Sequence, residues 1–329
     1  MENIDSLNHI LTSLKVKAEC LDYKKIRNVS LYDLHLQPGT RVRDLQKFAD
    51  EISLAMKAHA KPLVKVMSSL GIVRLEVIDE KPHKISFFDE IKKLEPTKGI
   101  IPMYLGSSVS GENMWIDIAK NPHTLIAGCT GSGKSTLLQI IMANAFGLSN
   151  TKICLLDTKN IEFQEYNRFE NVDIANDYTS GLEMLSFLIK EMEYRYNIMT
   201  EVGVGKTDFH NILFIIDEFA DLVMQDDNKI FFNQLCRLAQ KSRAAGIYCI
   251  LATQRPSVDI IKGSIKANFP ARISCQVASG IDSKVILDAS GAELLAGCGD
   301  AIIKNYNNNF TRFQIAYTTQ EEVCQQYGK

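Results

Sequence analysis

The sequence predicts an α/β fold, a mostly parallel sheet with intervening helices, preceded by a small α+β domain. Three observations carry this expectation. From Gly99 onward, short apolar strands alternate with helical segments. The apolar run Thr124–Ala127 leads into GCTGSGKS at 128–135 and then into a helix, an order of strand, glycine loop and helix. Residues 1–97 alternate differently, with paired strands, a turn and two helical stretches.

Taken in order, a first helix is expected over about 4–14, followed by strands at Val16–Tyr23 and Val29–Leu36. Gln37-Pro38-Gly39-Thr40 is a turn, with Pro and Gly placed to set its backbone angles. Val42–Ala60 repeats Leu45, Phe48, Ala49, Ile52, Ala55 and Met56 at helical spacing, so it is an amphipathic helix. Strands follow at Leu63–Met67 and Ile72–Ile78, and Leu94–Lys98, with Pro96, marks the boundary between domains 1–97 and 98–329. In the second domain a hairpin around Gly106–Gly111 precedes strands at Thr124–Gly128, Lys152–Asp157, Ile212–Asp217, Gly246–Thr253 and Ala271–Val277. Helices intervene at about 134–147, 181–200 and 229–244, and Ala301–Tyr317 reads as a closing strand pair around Asn307-Asn308-Asn309. Such a sheet presents its ligand site at the carboxyl edge of the strands.

Composition narrows the class. With 46% apolar and 23% charged residues, the chain is an ordinary globular protein of two domains. The longest apolar runs, Ile212–Ile216 and Ile247–Ala252, are strand length, far short of the ~20 residues of a membrane span. The first residues show no export signal, and eight scattered cysteines without a C-x-x-C pair favour reduced thiols, so a cytoplasmic location is expected. Net charge is −2, yet between Asn228 and Val285 nine Lys and Arg face two acids. That excess is either a solvated face or a footprint for a polyanion.

The glycine loop carries the chemistry. Residues 128–135 are a complete G-x-x-x-x-G-K-[ST] motif, in which Gly128, Gly131 and Gly133 let the backbone turn its N–H groups toward one anion. Cys129, Thr130, Ser132 and Thr136 complete the expected nucleoside triphosphate cradle, backed by the helix dipole. Lys134 is expected on the β- and γ-phosphates and Ser135 on Mg²⁺. Asn211–Glu218 is an apolar strand ending in two carboxylates. Asp217 suits the magnesium shell, and Glu218 suits a general base on water, although a strand-to-helix cap is the alternative. Thr253 and Gln254 end the next strand and can reach γ-phosphate and water. Asp157 and Lys159 are either a surface ion pair or part of the site. Cys129 is a small residue at a permissive position or a redox-sensitive thiol. Gly203–Thr207 contains GKT, but Thr stands where the first glycine belongs and a helix precedes it, so it is a loop.

Together these residues resemble the FtsK/SpoIIIE family of double-stranded DNA translocases. The resemblance also rests on Asn121-Pro122-His123, Glu191-Met192-Glu193 with Arg195-Tyr196, and Asp217–Leu222. Arg237–Lys241, Arg243–Gly246, LATQRPSVD at 251–259 and IKANFP at 265–270 extend it. It implies an α-like subdomain at 1–97 and a RecA-like P-loop NTPase, the β-like motor subdomain, at 98–329, using ATP and Mg²⁺. It further implies a homo-hexameric ring around double-stranded DNA, with ATP between protomers and Arg243 as a trans arginine finger, Arg237 being the fallback. Arg255 and Lys284 match positions facing DNA, with Lys266 and Lys262 as weaker candidates. Three departures stand out. Neither the family's membrane anchor and linker nor its winged-helix γ domain is expected within residues 1–329, and Gly280 replaces a common Lys. Lys159 keeps the lysine of the family's D-P-K turn, with Thr158 for Pro. The related type VII protein-secretion ATPases are the runner-up.

Overall fold

The computed structural model describes residues 2–26, 29–78, 84–95, 97–203 and 209–328, in two compact units. The first comprises Met1–Lys84 with Val109–Glu112 and Leu294–Ala296, and the second comprises the remainder. In the first unit, helix α1 (Glu2–Ser13) buries Leu7 and Leu11. Strands β1 (Ala18–Ile26), β2 (Val29–Leu36), β3 (Leu63–Met67) and β4 (Ile72–Ile78) form an antiparallel sheet in the order β1-β2-β4-β3. The core holds Leu7, Leu11, Leu34, Leu45, Ile52 and Leu75.

One expected helix is two. The Val42–Ala60 segment divides into α2 (Val42–Lys47) and α3 (Ala49–Ala55). Phe48 between them has φ −98° and ψ 19°, outside the helical well, which interrupts the hydrogen-bond ladder. The second helix ends early because Lys57 turns left-handed (φ 51°) and Ala58 N–H bonds back to Ser53 O. Lys84 closes the main stretch of the first unit, and Ile85 opens the second. The reason is helix α4 (Phe87–Ile91), whose Phe87 is buried beside Tyr104 and whose start is bonded to Tyr317.

The second unit is built on ten strands. They are β5 (Pro102–Ser108), β6 (Asn113–Asp117), β7 (Thr124–Ala127), β8 (Thr151–Leu156), β9 (Val172–Ala175), β10 (Asn211–Ile216), β11 (Ile247–Thr253), β12 (Ala271–Ser274), β13 (Asp300–Lys304) and β14 (Phe310–Ile315). Their order is β6-β5-β14-β13-β12-β7-β11-β10-β8-β9. The six from β12 to β9 run parallel, and the others pair antiparallel. The helices are α5 (Lys134–Phe146), α6 (Tyr178–Val202), α7 (Phe219–Gln225), α8 (Ile230–Lys241), α9 (Gly263–Asn268), α10 (Gly280–Leu287) and α11 (Gln320–Tyr327). Covered on both faces, the central strands are continuously apolar, and Ile212–Ile216 and Ile247–Leu251 are all buried. Register sets the site: Ala127 lies opposite Thr253, and Ile216 opposite both Leu251 and Leu156. The residues just beyond β7, β8, β10 and β11 therefore emerge side by side.

The expected strands and three long helices occur within a few residues of their places. Strand β9 and helices α7, α9, α10 and α11 are additions. From Val204 onward the expected loop at Gly203–Thr207 lies outside the described residues, as does Pro96. Among the described residues no helix is long and apolar enough to cross a membrane.

Candidate active site

Local backbone bonds hold the phosphate loop in shape. Gly128 N–H donates to Thr253 O at the end of β11 (3.2 Å), Cys129 N–H to Gln276 O beyond β12 (2.9 Å), and Ser132 N–H closes the turn on Cys129 O (3.1 Å). Gly133, at φ 107°, starts α5, and an added Cβ there would lie 2.6 Å from Gly299 Cα. A second glycine turn, Gly297-Cys298-Gly299, lies against the loop, with Gly299 N–H donating to Ser132 O (2.9 Å). Beyond Gly133 the first N–H groups of α5, from Lys134, Ser135 and Thr136, are left over by helix geometry for an anion. Helix α5 is a rigid support, because residues 137–145 are all buried.

Lys134 is buried, and its ammonium donates to Asp217 O (2.9 Å) and Oδ1 (2.7 Å). Ser135 Oγ donates to Glu162 Oε1 (2.5 Å). Glu218, also buried, gathers the end of β11: Thr253 Oγ1 donates to its Oε1 (2.7 Å) and Gln254 N–H to its Oε2 (3.0 Å). Gln254 Oε1 in turn accepts from Thr130 Oγ1 (3.2 Å), and Arg255 N–H donates to Thr253 Oγ1 (3.0 Å). Glu218, rather than the Asp expected of a cap, also caps α7, accepting from Ala220 N–H at 3.4 Å.

The turn after β8 lies in the same place. Asp157 is fully buried, and its Oδ2 accepts from Ile161, Glu162 and Phe163 N–H at 2.9, 2.8 and 3.0 Å. That folds the turn so that Lys159 sits 3.9 Å from Glu218 and 3.7 Å from Asp221. Glu162 goes to Ser135. Burial pushes the Glu162 carboxyl up, and the charges of Asp217 and Asp157 add to this against the Ser135 hydrogen bond and Lys134. Sequence reasoning missed Glu162 and the Gly297–Gly299 turn. Asp157 five residues before an acid was the only local signal for the first, and closely spaced glycines the only one for the second.

The oxygen donors suit Mg²⁺. Ser135 Oγ and the Asp217 carboxylate are hard ligands at the loop. Among the described residues no set of three or more His, Cys, Asp or Glu forms a closed cage, and Mg²⁺ ordinarily uses one or two protein oxygens with phosphates and water.

The remaining candidates lie elsewhere. Arg243 is exposed in the turn between α8 and β11, at the amino edge of the parallel strands, opposite the loop. Fully buried Arg195 donates to Ala245 O and His210 O (2.8 Å each), fixing that turn. Nearby His123 is pushed down to about 4 by burial, with the Arg243 charge in the same direction. Arg237 is ion-paired with Glu193. Arg255 is exposed, and with Cys129, Gln254, Asp259, Val277 and Asp282 it lines an open groove of about 590 Å³. Lys284 is exposed on α10, the helix that also carries Asp282. The Lys266 ammonium is ion-paired with Asp288, which also holds Arg272 and Lys304. Burial works against ionising Asp288, but hydrogen bonds from the three cations hold its carboxyl below the usual range. Lys262 Nζ lies 5.1 Å from the Phe232 ring centre.

The sequence matches the pattern of the FtsK/SpoIIIE family over residues 89–212 and 205–258. A DNA translocase FtsK of Treponema pallidum is 32% identical over 341 residues, covering 97% of this chain and 43% of the relative. A DNA translocase SftA of Bacillus subtilis is 32% identical over 339 residues, covering 96% of this chain and 36% of the relative. The chain thus spans less than half the length of these curated relatives. Among solved structures, the pCW3 conjugation coupling protein TcpA, in a monomer form with ATPγS, matches with a TM-score of 0.70 at 20% identity, over 98% of this chain and 97% of its own. A P-loop at the carboxyl edge of a mostly parallel sheet, two acids just beyond β10 and this sequence match lead to one conclusion: the chain belongs to the FtsK/SpoIIIE family and is a P-loop ATPase by fold.

Proposed function

We propose that this chain is the motor part of an ATP- and Mg²⁺-dependent translocase of double-stranded DNA, working as a homo-hexameric ring in the cytoplasm. In this reading Gly128–Thr136 cradles the phosphates and Lys134 neutralises the β- and γ-groups. Ser135 and Asp217 hold Mg²⁺, Glu218 takes the proton from the attacking water, and Thr253 and Gln254 sense the γ-phosphate. Arg243 completes a neighbouring protomer's site, where a guanidinium steadies charge spreading over the transferred phosphoryl group. Its exposure on the edge away from its own loop is in keeping with action in trans. Arg255 and Lys284 contact DNA phosphates, which are alike at every step of travel. Lys266 is left out of that set because its charge is engaged by Asp288.

One observation carries the reading. Glu218 is bonded to Thr253 and to the Gln254 amide, and the Gln254 side chain is tied to Thr130 in the phosphate loop. The next residue, Arg255, stands exposed at the groove. A change in what the loop holds is therefore one residue away from a cation able to grip a polyanion. The test is ATP turnover with and without duplex DNA at two salt concentrations. DNA should stimulate turnover, and the stimulation should fade at higher salt because phosphate contacts release counterions. Turnover indifferent to DNA would sink the translocase reading and favour the secretion class.

A further inference from the structure

On the footing of that nucleotide reading, we propose that Glu162 is a positioning residue for Mg²⁺, the outer carboxylate of the metal shell acting through the Ser135 hydroxyl. A serine hydroxyl has one proton to donate and two lone pairs to offer. Here the proton is committed to Glu162 Oε1 at 2.5 Å, so the lone pairs of Ser135 are turned away from Glu162 and left for a cation. This is the arrangement by which outer carboxylates orient first ligands and raise their basicity.

The rest of the turn supports a charged role. A mere staple between the β8 turn and α5 would need no carboxylate there, because Gln139 Nε2 already binds the Glu162 carbonyl (3.1 Å). Asp157 is fully buried and uses only Oδ2 to build the turn, while among the described residues its Oδ1 has no hydrogen-bond partner. A buried carboxylate oxygen without a partner is costly unless positive charge comes near. Asp157, Glu162, Asp217 and Glu218 put four carboxylates around this edge, against the ammonium groups of Lys134 and Lys159. The anionic excess would repel bare ATP and favours a nucleotide that arrives with a divalent cation.

The experiment measures binding of a fluorescent ATP analogue (N-methylanthraniloyl-ATP) with saturating Mg²⁺ and with EDTA, and takes the ratio of the two affinities. Wild type should show a large ratio. Glu162→Gln, which keeps size and removes charge, should lower that ratio about 10-fold or more. Glu162→Asp, which keeps charge and shortens reach, should fall between the two. A Gln ratio equal to wild type overturns the proposal. So does an equal loss of affinity with and without Mg²⁺, which marks a purely structural contact, or an Asp ratio below that of Gln. Wild type failing to bind the analogue under either condition would overturn the nucleotide reading itself. Melting temperatures of both variants, read beside the ratios, keep misfolding from passing as a metal effect.

Discussion

Glu218 shows how much one side chain carries at the residue scale. It lies just beyond β10, caps α7, takes the Thr253 hydroxyl and meets the Gln254 amide. Glu218→Gln keeps an acceptor for Thr253 but removes the proposed base. Nucleotide binding should persist while turnover falls about 100-fold or more, measured by phosphate release and by analogue binding on the same sample. Normal turnover would take the general-base role away from Glu218. The acids at 217 and 218 were legible in the sequence because an apolar strand ended in them, downstream of a complete loop motif. Glu162 was not, because its position depends on Asp157 collecting three N–H groups, and its partner Ser135 lies 27 residues earlier in the chain. Lys266 was a DNA-contact candidate by its place in the IKANFP run, and its pairing with Asp288, 22 residues away, has no local signal in the sequence.

The phosphate loop and its supporting turn belong together at the element scale. Gly131 (φ 79°) and Gly133 (φ 107°) both occupy backbone regions that L side chains rarely adopt, but a Cβ on Gly131 meets nothing within 4 Å, whereas one on Gly133 meets the Gly299 backbone. Strain alone costs about 1–3 kcal/mol at such positions. Gly133→Ala should therefore lower stability more than Gly131→Ala and should also weaken nucleotide binding by prying the two turns apart. Urea denaturation and analogue binding check this. Equal losses for the two variants would mean that the Gly297–Gly299 turn does not brace the loop. The parallel strands were legible because burial on both faces makes each a continuous apolar run. Strand β9, with four residues, and α7, with seven, are too short to show a period. Phe48 at a helical spacing gave no hint that the helix breaks there.

For the whole molecule, the proposed ring makes each site depend on two chains. Lys134→Ala subunits lack a working loop but still offer Arg243, while Arg243→Ala subunits keep the loop and lack the finger. Each alone should be nearly inactive, and mixtures should recover turnover with a maximum at intermediate ratios. Absence of recovery at every ratio would count against Arg243 acting in trans. Buried Arg195 matters here because it holds Ala245, two residues beyond Arg243, so the proposed finger projects from a fixed turn. The Lys134 ammonium has a consequence of its own for such an assembly. It donates to the Asp217 carbonyl and carboxylate, so this buried cation has its counter-ion within the same chain. Each chain therefore balances its buried ammonium internally, and no neighbouring protomer has to supply that anion.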